Sequence, residues 1–449
     1  MLIHRFEFLG NYIVLDVNSG AVHVVDQLVY DLLAVFNGNN AAEAEKTFAN
    51  KYTQVEIAEG LAEIQELIAE ELLFTPLSPD VKDVFTEQPI VKSLCLHIAH
   101  DCNLRCRYCF ASMGDFGGNR SLMSKEVGEK AVDFAIAGSQ NRTNLDIDFF
   151  GGEPLVNPLV VKHLIKYVRQ REETSGKKIK LTLTTNGLLL DDAMADFLNE
   201  HNVLLVLSLD GRPEVHDRMR PTAGGKGSYQ QTAQAFKKII DSRNGKNYYL
   251  RGTYTKENLD FAADVEHMAT IGKELSMEPV VEKEADYKID EEDLPTIFQE
   301  YEKLAKYYLQ EHLAGRPFNF FHFNLALDGG PCLPKRLSGC GAGHEYFAIT
   351  PEGDIYPCHQ FVGRDEYKLG TLDSGLEKLH ISQEFRRAHV LNKPTCLDCW
   401  ARFHCSGGCH ANADLMNGDI YQPYEIGCKL QRKRLECAIG VQTVLALQE

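Results

Sequence analysis

Short apolar runs alternate with longer amphipathic stretches through the middle of this chain. Residues 145–150 alternate between apolar and polar side chains, whereas residues 203–209 are almost continuously apolar. The first pattern is typical of a half-buried β-strand and the second of a fully buried one. Two more strands are predicted at 91–98 and 180–185, and helices are predicted at 124–138, 159–173 and 191–200. Strands and helices in this alternation predict an α/β fold with a parallel sheet.

Polar residues stand where these predicted strands end. One strand runs into Gly151, Gly152 and Glu153, and the next two are followed by Asn186 and by Ser208 with Asp210. In α/β sheets, ligands gather at the carboxyl ends of the strands, so these residues are candidates for a binding site. Ordinary loop chemistry is the alternative, because Gly-Gly and Glu-Pro pairs are common in turns.

The first 75 residues follow a different pattern. Strands are predicted at 3–9, 12–16 and 22–25, with turns at Gly10-Asn11 and at 18–20, and helices are predicted at 27–36, 41–51 and 55–72. Prolines and acidic residues at 76–90 are typical of a linker. We therefore expect a small α+β module at 1–75 and a linker at 76–90.

Composition narrows the class of protein. A length of 449 residues suggests about three domains at roughly 150 residues each. The net charge of −17 disfavours an electrostatic nucleic-acid binder, and no apolar run reaches the roughly 18 residues of a membrane span. The N-terminus has charges where a signal peptide needs an apolar core. Thirteen cysteines in such a chain predict metal binding in a reducing cytoplasm rather than disulfides.

Three of the cysteines, Cys102, Cys106 and Cys109, have the spacing C-x3-C-x2-C. Iron–sulfur clusters are normally held by four thiolates, so three thiolates would leave one iron of a four-iron cluster open for chemistry. A zinc site is the alternative, because C-x2-C also binds zinc.

Together with the strand ends, this motif resembles the signature of the radical S-adenosylmethionine (SAM) enzymes. The resemblance implies a partial (β/α)6 barrel at 91–310, in which the open iron chelates SAM and the cluster cleaves it to a 5′-deoxyadenosyl radical. Cys102, Cys106 and Cys109 would then be the catalytic cluster ligands. The implied SAM contacts are Tyr108 near the adenine, Gly151, Gly152 and Glu153 at the amino group, Asn186, and Ser208 and Asp210 at the ribose and carboxylate. Arg220 and Arg251 remain alternatives for the SAM carboxylate.

Cysteines crowd the C-terminal part, and Cys396, Cys399, Cys405 and Cys409 have the spacing C-x2-C-x5-C-x3-C. This pattern resembles the SPASM extension of radical SAM enzymes, here expected at 311–449. The resemblance implies two auxiliary four-iron clusters, one held by Cys340, Cys358 and Cys409, and the other by Cys396, Cys399, Cys405 and Cys428. Cys332 is a candidate fourth ligand of the first cluster; without it, a substrate thiolate could take the open position. Structural zinc is the alternative, and Cys95 and Cys437 are expected to be buried structural residues.

The module at 1–75 resembles the recognition element of enzymes that modify ribosomal peptides (RiPPs), in which a leader peptide is added as a strand to a sheet edge. A cap without a ligand is the alternative. The whole order of domains resembles the radical SAM/SPASM peptide maturases, and most nearly those of the cysteine-rich SCIFF peptides. These enzymes form the sulfur-to-α-carbon thioethers that are typical of sactipeptides.

That resemblance implies SAM and three [4Fe-4S] clusters as cofactors, and a leader-bearing precursor peptide and a reducing donor such as flavodoxin or ferredoxin as partners. The alternatives are an anaerobic sulfatase-maturase-like oxidation of Cys or Ser to formylglycine, and a non-enzymatic zinc or iron–sulfur scaffold. Neither nucleic acid nor membrane is expected as a partner.

Overall fold

A computed structural model of the protein describes residues 2–77, 88–325, 327 and 333–448. Its strands are β1 (Ile3–Phe8), β2 (Asn11–Asp16), β3 (Val22–Val25), β4 (Ser93–Ala99), β5 (Asn144–Gly151), β6 (Lys178–Thr185), β7 (Leu204–Ser208), β8 (Tyr248–Tyr254), β9 (Glu274–Pro279), β10 (Asn319–Phe320), β11 (Tyr346–Ile349), β12 (Asp354–Tyr356), β13 (Gly370–Thr371) and β14 (Gly375–Leu376). Its helices are α1 (Gln27–Leu32), α2 (Ala41–Phe48), α3 (Gln54–Ala69), α4 (Lys125–Gly138), α5 (Pro158–Ser175), α6 (Asp192–Glu200), α7 (Pro213–Met219), α8 (Tyr229–Ser242), α9 (Phe261–Met268), α10 (Leu294–Leu313), α11 (Leu333–Ser338), α12 (Leu379–Arg387), α13 (Pro394–Leu397), α14 (Arg402–Cys405), α15 (His410–Asn417) and α16 (Glu425–Ala446).

The larger of the two sheets contains six consecutive parallel strands, β4 to β9, each separated from the next by one or more helices. The short β10 adds to β9, and on the other side β11 pairs in parallel with β4. Strands β12, β13 and β14 continue the sheet in antiparallel pairing. This arrangement confirms the predicted α/β fold with its mostly parallel sheet.

The two faces of this sheet differ in polarity. Leu94, Ile147 and Leu181 are register neighbours on β4, β5 and β6, and all three lie in the main apolar core with the inward side of α5. Side chains alternate along a strand, so the next positions, including Asp148 and Thr182, point to the opposite face. That second face carries the polar groups on which the candidate site is built.

The N-terminal module has a three-stranded antiparallel sheet in the order β1-β2-β3. Alternation along β2 divides its side chains: Val14 packs with α1 and α3, whereas Ile13 and Leu15 join the main core. A capping box between Thr53 and Glu56 begins α3. The module therefore has a small core of its own and also packs against the rest of the molecule.

Some predicted boundaries differ from those observed. The first hairpin turn is Leu9-Gly10 rather than Gly10-Asn11, because Phe8 and Asn11 are paired and both Leu9 and Gly10 have positive φ. Helix α1 is shorter than the predicted 27–36 and ends at Leu32. Most of the predicted linker lies outside the described residues. In the described ranges, no helix is both long enough and apolar enough to cross a membrane.

Candidate cluster-binding and SAM-binding site

The loop after β4 carries the three cysteines of the C-x3-C-x2-C motif. It brings them close enough together that Cys106 and Cys109 both act electrostatically on Cys102. Burial raises the pKa of Cys102 to about 12 and that of Cys106 to about 11. Because thiolates are the metal-binding form, filling this site must release protons. The loop thus presents three converging soft ligands.

Two glycines bring the end of β5 against this cysteine loop. The Gly152 amide donates to the Ala99 carbonyl at 2.8 Å. A Cβ on Gly152 would lie 2.2 Å from the Asp101 carbonyl oxygen, and one on Gly151, whose φ is +124°, would lie 2.3 Å from that of Ala99. We expected these glycines to approach a ligand; the close approach that the structure shows is to the backbone of the cysteine loop.

Glu153 joins the ends of β5 and β6 and is 1% exposed. Its carboxylate accepts hydrogen bonds from the amides of Asn186 (2.8 Å) and Leu155 (3.0 Å) and from the Thr185 hydroxyl (2.9 Å). Burial raises its pKa to about 7. The side-chain amide nitrogen of Asn186, Nδ2, lies 3.8 Å from the Cys102 sulfur. A carboxylate has about four lone-pair positions, so Glu153 keeps an acceptor position that could receive an ammonium beside this loop.

Asp210 follows β7 and is fully buried. It accepts hydrogen bonds from the Tyr108 hydroxyl (2.5 Å), from Arg220 Nε (2.9 Å) and from the Thr253 amide (3.0 Å). The Arg220 guanidinium also lies 5.4 Å from the centre of the Tyr108 ring, and its charge acts on Cys106. Three of the predicted site residues therefore form one cluster that borders the cysteine loop.

Strand β8 carries Arg251, one of the two candidates for the SAM carboxylate, and β9 carries Glu278, which the motifs did not predict. Glu278 accepts a hydrogen bond from Arg434 at 3.0 Å and lies 3.3 Å from His322 Nε2. Burial alone would raise the pKa of Glu278, but His322, Arg434 and Arg251 bring it down to about 2. Arg251, the register neighbour of Ser208, thus belongs to this charged group, whereas Arg220 borders the cysteine loop. In the sequence, the signal for this polar side of β8 was the period-two pattern of polar residues along 248–254.

Four cysteines of the tail line one pocket beside the beginning of α16. They are Cys396, Cys399, Cys405 and Cys428, the set that the resemblance assigns to the second auxiliary cluster. Burial raises the pKa of Cys396 to about 11 and that of Cys428 to about 12. The pocket combines α13, α14 and the first turn of α16, which explains why its cysteines are up to 32 positions apart in sequence.

Three other tail cysteines form a second group. Cys340 precedes β11, Cys358 follows β12 and Cys409 is the N-cap of α15. Both Cys340 and Cys409 act electrostatically on Cys358, whose pKa is raised chiefly by burial. The structure thus brings together the interleaved sets that the resemblance implies. Cys332, the candidate fourth ligand, lies outside the described residues.

The chemistry of these three cysteine groups suits iron–sulfur clusters. A single zinc ion draws its ligands to within about 2.3 Å of one point. A four-iron cluster instead binds each thiolate to a different iron, and each of these groups offers three or four such ligands.

Comparison with known proteins supports a radical SAM domain and an iron–sulfur-binding domain in this chain. A family model described as the radical SAM superfamily matches residues 96–264, and one described as an iron–sulfur cluster-binding domain (SPASM) matches residues 340–400. The cysteine-type anaerobic sulfatase-maturating enzyme of Clostridium perfringens is 26% identical over 337 residues, which cover 70% of this chain and 87% of that protein.

Two solved structures share the fold. The structure of native anSMEcpe with bound AdoMet and Cp18Cys peptide has a TM-score of 0.65 and 21% identity, and the match covers 80% of this chain and 100% of the other. Streptococcus suis SuiB bound to precursor peptide SuiA has a TM-score of 0.51 and 15% identity, with coverage of 92% and 96%. The chain therefore contains a radical SAM domain at 96–264 and a SPASM domain at 340–400, which identifies it as a radical SAM enzyme with a SPASM domain.

Proposed function

We propose that this enzyme is a peptide maturase that joins a cysteine sulfur to the α-carbon of another residue in a leader-bearing, cysteine-rich precursor peptide. The N-terminal module carries this proposal. Its strand β3 lies at the edge of the sheet, with no partner on its outer side among the described residues, and Val24 on this strand is 43% exposed. Such an edge can accept a peptide as an additional strand.

The comparisons favour a peptide as the substrate. Both solved neighbours described above were determined with a bound peptide, and SuiB carries its precursor peptide. The match to SuiB covers 92% of this chain, against 80% for the anSMEcpe complex. A greater share of this chain therefore matches the fold of the structure that has a bound precursor peptide.

Contacts between aromatic residues next to the SAM-cluster cysteines and next to the first auxiliary set support this proposal. Phe110 follows Cys109, His359 follows Cys358, and the centres of the Phe110 and His359 rings are 5.4 Å apart. Phe150 on β5 lies 5.2 Å from the same histidine. These rings form an aromatic wall shared by the two cysteine groups, which would exclude water from a substrate held between them.

We assign the cofactor-binding roles as the resemblance implies. Cys102, Cys106 and Cys109 would hold the SAM cluster, Glu153 would receive the SAM ammonium, and the tail cysteines would hold two auxiliary clusters. Asn186 would be a further contact of SAM. When bound, the SAM cluster supplies the electron that converts SAM to a hydrogen-abstracting radical, and an auxiliary cluster supplies an acceptor for the second electron. A flavodoxin- or ferredoxin-type protein would deliver the reducing electron.

The proposed reaction has a defined balance. The peptide loses the thiol proton, the α-hydrogen atom and one electron, and one carbon–sulfur bond forms. Each crosslink should therefore lower the peptide mass by about 2 Da and remove one alkylatable thiol. The measurement is mass spectrometry of candidate precursor peptides after anaerobic reaction with SAM and reductant, with and without iodoacetamide.

The alternative function has a different signature. The Clostridium perfringens relative is named as a sulfatase-maturating enzyme, which favours oxidation to formylglycine. Conversion of Cys would lower the mass by about 18 Da, and conversion of Ser by about 2 Da with every thiol still alkylatable. Cleavage of SAM with either of these patterns would refute thioether formation.

A second experiment tests the leader site. Val24→Glu places a charge on the exposed edge strand, and we expect it to weaken binding of a fluorescent leader peptide at least tenfold. Leu9→Glu is the matched control, because Leu9 is 49% exposed but lies in the β1–β2 turn. Equal affinity of both variants for the leader would contradict strand addition at β3.

A further inference from the structure

A buried lysine is within electrostatic reach of both groups of tail cysteines. Lys393 is the N-cap residue of α13, three positions before Cys396, and its side chain is fully buried (0% exposed). Fully buried lysines are rare unless they are paired with negative charge. The partners of this ammonium group therefore indicate its role.

Its hydrogen bonds satisfy only part of the ammonium group. Nζ donates to the Gly407 carbonyl at 2.8 Å, and no other acceptor for it is found in the described ranges. An ammonium has three donors, so two N–H groups remain for partners other than the described protein atoms. Gly407 lies between Cys405 and Cys409, in the segment where the chain passes from one cysteine group to the other.

The charge of Lys393 acts on both cysteine groups. Burial lowers the pKa of its ammonium group, and the charges of Cys396, Cys405, Cys409 and Cys428 act on this pKa in the opposite direction. Cys340, of the group with Cys358 and Cys409, is likewise subject to the charge of Lys393. Lys393 thus faces members of the set assigned to the first auxiliary cluster and members of the set assigned to the second.

We propose that Lys393 is a shared electrostatic element of both auxiliary cluster sites, whose buried positive charge holds the reduction potentials of both clusters above the values they would have without it. This inference rests on the proposed presence of two auxiliary clusters. Clusters held by thiolates are negatively charged, and a nearby cation stabilises the extra electron of the reduced form. Hydrogen bonds from the two remaining donors to cluster sulfurs would act in the same direction.

The test is a redox titration of the full-length protein, monitored by electron paramagnetic resonance. A background with Cys102, Cys106 and Cys109 replaced by Ala removes the SAM-cluster signal, so that about eight irons should remain in two clusters. In this background, Lys393→Gln should move both midpoint potentials to lower values, and Lys393→Arg should keep both close to those of the parent. Lys92→Gln is the matched control, because the charge of Lys92 also acts on Cys340; it should move one potential at most.

The outcomes separate this inference from the proposed function. A parent protein with fewer than about eight irons would refute the two auxiliary clusters before Lys393 is tested. If Lys393→Gln keeps its iron with unchanged potentials, or moves only one of them, the shared role is overturned. If Lys393→Gln and Lys393→Met both lose auxiliary iron while Lys393→Arg keeps it, the charge is needed at both sites and the proposal stands. Loss of iron from Lys393→Arg as well would reduce Lys393 to a packing residue and overturn it.

Discussion

At the scale of single residues, the site depends on positions that accept only one type of amino acid. Gly152 is such a position, because a Cβ there would lie 2.2 Å from the carbonyl oxygen of Asp101 and 3.0 Å from Gly114 Cα. These are backbone atoms, so a rotamer change cannot relieve the overlap, and the cysteine loop would have to move.

We therefore expect Gly152→Ala to lose the iron of the SAM cluster and to destabilise the protein by about 1–3 kcal/mol. Gly224→Ala is the control, because no atom lies within 4 Å of its Cβ position and its φ is not in the left-handed region. The measurements are iron per chain after anaerobic reconstitution and the midpoint of urea unfolding. Full iron content in Gly152→Ala would show that the loop tolerates displacement.

Asp148, on the polar face of β5, gives a pH prediction. Burial raises its pKa from 3.8 to about 6. A carboxyl group whose pKa is higher in the folded state stabilises the fold while it is protonated, and this contribution is lost as the pH rises from about 4 to about 6. Asp148→Asn has no carboxyl group to ionise, so the variant does not lose this stability as the pH rises. The free energy of unfolding of the variant minus that of wild type should therefore increase between about pH 4 and about pH 6, by at most about 3 kcal/mol. Urea unfolding at pH 4.5 and pH 7.5 measures the difference; parallel pH profiles would contradict it.

At the scale of secondary structure elements, α16 connects parts of the molecule that are distant in sequence. Its first turn carries Cys428 into the four-cysteine pocket, and Arg434 binds Glu278 of β9. Further along, Gly440 packs so closely against Phe8 of β1 that a Cβ would lie 2.3 Å from its ring. The helix is therefore both a structural support and the source of one cysteine of this pocket.

The two cysteines of this helix should behave differently. Cys428→Ala should remove the iron of one auxiliary cluster, about four atoms per chain. Cys437→Ala, at a buried position in the main core, should keep all iron and destabilise the protein by roughly 1 kcal/mol through a small cavity. Iron analysis and thermal unfolding of the two variants test this pair, and equal iron content in both would refute a ligand role for Cys428.

Elements with a strong local signal could be predicted from the sequence. The alternation at 145–150 predicted β5, and the polar residues at its end proved to lie around the cysteine loop. Contacts between distant segments left no such signal: the pairing of Glu278 with Arg434 joins residues 156 positions apart. The division of the tail cysteines into two sets came from family resemblance, because spacing alone does not show which sulfurs share a pocket. The Leu9-Gly10 turn was misplaced because leucine rarely adopts positive φ.

At the scale of the whole molecule, three cysteine groups lie on three different supports: the loop after β4, the segments around β11, β12 and α15, and the pocket at α16. If each holds its own cluster, iron losses should be additive, because no cysteine is assigned to more than one cluster. Replacement of the first group by Ala should leave about eight of about twelve irons, and a further Cys428→Ala should leave about four.

If the sites depended on each other for binding iron, the iron losses would not be additive. Lys393 joins the two tail groups electrostatically, so removal of one auxiliary cluster should shift the potential of the other without removing its iron. The measurement is iron and sulfide per chain for the single and combined variants, purified without oxygen, together with a zinc assay. A loss of both auxiliary clusters on Cys428→Ala alone would mean that the tail binds its clusters as one cooperative unit, and zinc in place of iron would make the tail a structural domain.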